Sequence, residues 1–181
     1  WSEENLLAEP VPLRDLQLHP LPAEQGRTLS IRVDTTQPVS LTGTLGDWPL
    51  HFNVDEARPN WQVALLGIDR LAEPNLYPLT IAATDAAGAV LRFSQPLPVR
   101  DGDYLVDKPL TVDPATLDPA VTGPELEQVE SIVAPFTRAR YWNGLFALPS
   151  VGALRSVFGS LRSYNGGPYD ARDIGIAVEE I

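Results

Sequence analysis

Between about Pro12 and Val112, short apolar runs alternate with polar residues and are cut by turn signals at the spacing of a β-sandwich. The alternation predicts strands over 13–18, 28–34, 39–45, 50–54, 61–66, 76–84 and 90–99, enough for an immunoglobulin-like module. In the run TLSIRVDT, Leu29, Ile31 and Val33 fall on one face and Ser30, Arg32 and Asp34 on the other, the period of a half-buried strand. In YPLTIAATDAAGAVLRF, Leu79, Ile81 and Ala83 alternate with their neighbours, Asp85 to Gly88 supply a turn, and Val90 and Arg92 resume the alternation. Prolines 38, 49, 59, 74, 78, 96 and 98 exclude helices there and belong at strand edges.

After Asp101 the pattern changes. Repeated Asp-Pro and Asp-x-x steps mark an extended connector, followed by a short helix. Thr122 or Gly123 is the expected cap, Pro124 the first turn, and Leu126, Val129, Ile132 and Val133 the apolar face, with Pro135 limiting the length. The predicted organisation is a tail at 1–11, an immunoglobulin-like β-sandwich at 12–100, an acidic linker with a short helix at 101–137, and a few C-terminal β-strands within 138–181. The fold class is therefore mainly β.

The chain has no cysteine, so the sandwich lacks the inter-sheet disulfide of antibody domains and must be held by burial. Trp48, Phe52, Trp61, Leu79 and Phe93 are the expected core, at about 1.5–3 kcal/mol for each large side chain buried. With no methionine, the expectation is a processed or trimmed product, its true start a place for a signal or anchor, and no run reaches the length of a membrane-spanning helix.

A net charge of −11 argues against a general phosphate-neutralising surface for nucleic acid. Its distribution is uneven: residues 1–135 hold eight basic and twenty acidic side chains, whereas 136–168 hold Arg138, Arg140, Arg155 and Arg162 and no acid. His19 and His51 have no metal-site spacing, Ser156 and Ser160 have no nucleophile elbow, and the acid pairs Asp101 with Asp103 and Asp55 with Glu56 read as turn chemistry.

The sharpest signal is RARYWNGLFALPSVGALRSVFGSLRSYNGGPYD, and it is carried by the spacing of Phe146, Pro149, Gly152, Ser156, Phe158, Gly159, Arg162, Tyr164, Asn165 and Gly166. This segment resembles the opening of lysostaphin/LytM-type peptidoglycan zinc endopeptidases, some of which carry an immunoglobulin-like module and an acidic connector before the catalytic domain. The resemblance implies an exported protein of the periplasm, cell wall or extracellular space that works on peptidoglycan. It also implies zinc, but the pattern departs at the ligands. With Gly175 in register, Asp173 stands where the family's first zinc-binding His belongs and Ala177 where its zinc-binding Asp belongs.

An alanine supplies no donor atom, and zinc hydrolysis needs three protein ligands and an open position. The expectation is therefore a truncated or degenerate start of a metallopeptidase-like domain, with no cofactor and no peptidase activity of its own. Its partners would be peptidoglycan or the catalytic domain, contacted through Arg138, Arg140, Arg155, Arg162, Tyr164 and Asn165. A homodimer through unpaired strands at 145–165 is also expected, since an open strand edge invites pairing. The alternative is an immunoglobulin-like protein-interaction module of an exported bacterial surface protein.

Overall fold

The structure, a computed structural model, describes residues 13–139, 141–147, 150–173 and 175–178. The expected tail at 1–11 lies outside the described residues, as do Arg140 and Pro149. The chain divides into two units, residues 1–102 and 103–181.

In the first unit the predicted alternation becomes strands almost one for one. They are β1 (Leu13–His19), β2 (Ala23–Glu24), β3 (Thr28–Thr35), β4 (Ser40–Leu45), β5 (Trp48–Leu50), β6 (Asn53–Asp55), β7 (Arg58–Gly67), β8 (Asn75–Thr84) and β9 (Val90–Arg100). Two sheets result, ordered β1-β3-β7-β6 and β2-β9-β8-β4-β5. This is the immunoglobulin strand order, with β1, β3, β7 and β6 in one layer and β4, β8 and β9 neighbours in the other. The run expected as one strand over 50–54 instead splits, because the chain changes sheets between β5 and β6 at His51 and Phe52.

The two inner faces share one core. Leu29, Ile31, Val33 and Ala64 from the four-stranded sheet meet Leu41, Leu45, Leu79, Ile81, Leu97 and Val99 from the other. The core is aliphatic: of the residues expected there Leu79 is fully buried, and the four aromatic ones are not. Trp48 and Phe52 are partly buried at its margin, while Trp61 and Phe93 lie outside the buried cluster. Trp61 instead carries the guanidinium of Arg58 6.0 Å from its ring centre. A face of β-branched and leucine side chains fills the inter-sheet gap without the partnered N–H that a buried indole demands.

Close sheet packing sets one glycine. At Gly43, in the middle of β4, a side chain would run into the backbone carbonyl of Thr80 on the neighbouring strand β8. The hairpin of β8 and β9 closes on Asp85, whose carboxylate accepts the Ala87 and Ala89 amides at 2.9 and 2.8 Å. Gly88 completes it at φ 85°.

The short strand β2 was not legible in the pattern. It runs parallel to β9, pairing Ala23 with Val99 and Glu24 with Arg100. Its polar side chains tie down the end of the unit. Glu24 takes Arg27 at 2.6 Å and also the guanidinium of Arg100. Next to it, buried Gln25 accepts from Arg70 Nη1 at 2.6 Å and donates to the Ala72 carbonyl at 2.5 Å. The Gly102 amide also donates to Gln25 Oε1, at 3.3 Å. One amide side chain thus joins the end of β2, the loop after Ile68 and Gly102, two residues beyond β9.

In the second unit a 3-10 turn (Pro114–Leu117) leads into α1 (Pro119–Val133). The helix begins earlier than expected. Asp118, and not Thr122 or Gly123, caps it by accepting the Ala120 amide at 2.9 Å, and Pro119 takes the first position, which needs no amide donor. Pro124 then falls inside the helix. The remaining strands are β10 (Leu154–Ser156), β11 (Leu161–Arg162), β12 (Ala171–Arg172) and β13 (Ala177–Val178), pairing β10 with β13 and β11 with β12. Within SVFGSLRSY the strands are separated between Val157 and Ser160, where Gly159 turns the chain at φ 85°.

Two consequences are measurable. Gly43→Ala is expected to cost about 1–3 kcal/mol, because strand β8 must shift to admit the methyl group. A urea titration will show a lower midpoint at unchanged slope. The second concerns acid. The hydrogen bond from Arg100 pulls the Glu24 carboxyl below its usual range; burial opposes this, and the charges of Arg100 and Arg27 add to the lowering. A carboxyl lowered in the folded state stabilises above its unfolded value, about 4.3, and that contribution disappears as pH falls through the folded value. Glu24→Gln is therefore expected to lower Tm at neutral pH and to flatten the acid limb of a Tm-against-pH curve.

Candidate functional site

Of the residues that carry the sequence signal, Phe158, Gly159, Arg162, Tyr164 and Asn165 gather around the connector 103–112, which behaves as an added strand, whereas Phe146 is exposed. The Leu161 amide donates to the Leu105 carbonyl and the Asp107 amide to the Leu161 carbonyl, both at 2.9 Å. Farther along, the Leu110 amide donates to Ser163 at 2.9 Å and the Asn165 amide to Leu110 at 2.8 Å. Val106 and Leu110 accordingly form parallel bridges to Leu161 and Tyr164. Strand β12 occupies the other side of β11, so both edges of β11 are filled from within the unit. Of the open edge expected over 145–165 for pairing with a second copy, residues 161–162 are therefore already paired on both sides.

Side chains fasten the same joint. Arg162 sits three-quarters buried, with its Nε 3.3 Å from Asp107 Oδ2 and its Nη2 3.2 Å from Ser156 Oγ and 2.8 Å from Asp173 Oδ2. The Asp173 contact is an ion pair whose angles fall outside those of a hydrogen bond. Burial works to lower the pKa of this guanidinium. It is outweighed by hydrogen bonding to the Tyr164 side chain, the Asp173 charge and the bond to Asp107, so the net direction is upward. The group is a fixed cation between a connector carboxylate and a C-terminal one. Tyr169 adds a hydroxyl donor to the Asp107 carbonyl at 3.0 Å.

The Gly-rich stretch is a tight turn. Gly167 donates to the Tyr164 carbonyl at 2.9 Å, and the two central residues, Asn165 at φ 52° and Gly166 at φ 76°, both adopt the left-handed region. Asn-Gly is the pair that tolerates this geometry. The turn aims the Asn165 carboxamide at the connector, where its Oδ1 accepts the Val112 amide at 2.9 Å. At Gly159 a Cβ would lie 2.5 Å from the Tyr104 ring, and Tyr104 meets Phe158 edge-on with ring centres 6.2 Å apart.

The proposed contact residues therefore separate. Arg162, Tyr164 and Asn165 come together and are engaged with the connector. Arg155 lies exposed on β10, and Arg138 lies exposed beyond α1; Arg140 is outside the described residues. Asp173, at the position of the resembled family's first zinc ligand, faces Arg162, and Ala177 lies on β13. Among the described residues no three His, Asp or Glu side chains converge as a metal-holding group, and no helix is long and apolar enough to cross a membrane. Asp55 is a turn residue, accepting the Ala57 amide at 3.0 Å, and Asp101 lies 4.0 Å from Arg70. Sequence reasoning missed Tyr104 and Asp107. Their only signal was the apolar content of YLVDKPL inside a stretch otherwise typed as a linker.

No family model and no curated protein sequence matches the chain. A solved structure, that of a point mutant of the SrpA adhesin from Streptococcus sanguinis, is similar over 62% of this chain and 77% of that one, at 15% identity and a TM-score of 0.37. A likeness this distant carries no argument about function.

The geometry makes a testable statement about the joint. Arg162→Ala leaves two carboxylates without their cation, and Gly159→Ala sets a methyl group against Tyr104 at a backbone angle that side chains disfavour, a cost of about 1–3 kcal/mol. Either change is expected to abolish hydrogen-exchange protection at the amides of Asp107, Leu110 and Val112 while leaving that of Ile31 and Ile81 intact.

Proposed function

We propose that this chain is a non-catalytic accessory part of a cell-wall metallopeptidase system, exported to the periplasm, wall or cell exterior. In this reading an immunoglobulin-like spacer precedes a connector-latched β unit that positions or restrains a catalytic domain, or holds it at peptidoglycan. The observation that carries the reading is the fate of the motif residues. Gly159, Arg162, Tyr164, Asn165 and Gly166 are the ones that resemble the opening of the lysostaphin/LytM-type domain, and each has a defined task in docking the connector. A segment kept for that docking needs no hydrolytic centre. The ion pair of Asp173 with Arg162 supports the same view, because a carboxylate neutralised by a guanidinium is a poor zinc ligand.

Contact with anionic wall polymer would fall to Arg138, Arg140 and Arg155, in a stretch from 136 to 168 that contains no acidic residue. Sedimentation with purified peptidoglycan tests the proposal. The chain is expected to co-sediment, to release no soluble wall fragments with or without added zinc, and to lose retention severalfold in an Arg138→Glu, Arg155→Glu double variant. Retention no greater than that of an unrelated acidic protein would remove wall binding from the reading, and chelator-sensitive cleavage would overturn it altogether.

A second reading, a protein-interaction module of an exported bacterial surface protein, draws on α1, where Leu126, Val129, Ile132 and Val133 are all exposed. Partner capture that survives deletion of residues 140–181 would favour it over the first.

A further inference from the structure

On the outer face of the four-stranded sheet, Gln17 and His19 of β1 stand directly across from Arg32 and Ser30 of β3. Their inward neighbours Leu16, Leu18, Ile31 and Val33 pack toward the core, so these four polar residues share the opposite face. They line a cleft of about 220 Å³. Among the described residues two of its groups have no protein partner. Ser30 Oγ is closed off from solvent and makes no hydrogen bond, against the rule that buried hydroxyls are satisfied. Among the described residues Arg32 is ion-paired with no carboxylate, unlike Arg14 on the neighbouring strand, which holds Asp34. Arg32 itself is exposed, so its guanidinium is open to a ligand beside the unused hydroxyl.

We propose that this cleft binds a singly charged carboxylate on an oxygen-rich ligand such as an acidic sugar. The Arg32 fork would take the carboxylate, and Ser30, His19 and Gln17 the neighbouring oxygens. The charge balance selects a monoanion. Only one permanent cation lines the cleft, and the nearest acid on β1, Asp15, accepts the Gln17 amide at 2.8 Å on the side away from His19 along the strand. A dianion such as phosphate would meet that carboxylate with no second cation to offset it. Leu65, opposite Ser30 on β7 and exposed, offers the apolar surface on which a sugar ring rests. The inference is independent of wall binding by the C-terminal arginines.

The test is a titration of the isotope-labelled full chain with sodium glucuronate, acetate, inorganic phosphate and methyl glucoside, followed by backbone and arginine side-chain NMR. Saturable shifts at His19, Ser30 and Arg32 with glucuronate are expected, with dissociation constants on the order of 1 mM and acetate competing. Arg32→Gln should weaken binding at least tenfold. Ser30→Ala should weaken it severalfold without lowering Tm, a pairing of effects that a purely structural serine would not give. Shifts of equal size with methyl glucoside, tighter binding of phosphate than of either carboxylate, or unchanged affinity in Arg32→Gln would each overturn the proposal.

Discussion

With no cysteine to bridge its two sheets, the first unit depends on contact between two aliphatic faces, Leu29, Ile31 and Val33 on one side and Leu79, Ile81 and Leu97 on the other. Burial of this kind is non-directional, so it favours stacking but does not by itself choose a register. Register comes from the backbone ladders, and one of them passes Gly43, where a side chain would run into the Thr80 carbonyl of strand β8. The polar groups are placed where the two demands meet. Gln25 and Arg70 satisfy each other at the margin of the core and hold the loop ends that the apolar contacts leave untied.

The second unit solves the opposite problem. Few of its residues are buried, its strands are two or three residues long, and α1 contributes no buried side chain. Its order comes from directional interactions centred on Arg162 and on the backbone of the connector. Because those interactions are charge-assisted and partly shielded, they specify one arrangement at modest stabilisation. The same arrangement gives a structural reason for residues that would otherwise read as a ligand-contacting motif, and it is the physical content of the functional proposal.

What could be read from the sequence follows the same division. Period-two alternation is a local property, and it located the major strands of the sandwich within a few residues, because each carries enough apolar positions to announce its face. The alternation could not show that β2 pairs parallel to β9, a contact between residues far apart in the chain and only two residues long. Nor could it show that YLVDKPL would pair with Leu161 and Ser163. The Asn165-Gly166 turn was visible as a glycine-rich loop, but its orientation toward Val112 was not, since that depends on where the connector lies. The helix start was displaced for a chemical reason: Asp118 followed by Pro119 outcompetes Thr122, and a proline six positions in does not prevent the helix from forming. The aromatic side chains were assigned to the core by size, yet the gap between the sheets is filled by leucine, isoleucine and valine.

The parallel pairing of β2 with β9 also has a mechanical side. The chain reaches β2 from one end of the polypeptide and leaves β9 toward the other, so a stretching force drawn along the two strands acts in opposite senses on them. Their backbone hydrogen bonds and the Glu24–Arg100 ion pair then share the load in shear and yield together, unlike the bonds of a hairpin, which open one at a time. A module tethered at both ends would thereby hold its length under tension until that short seam gives way.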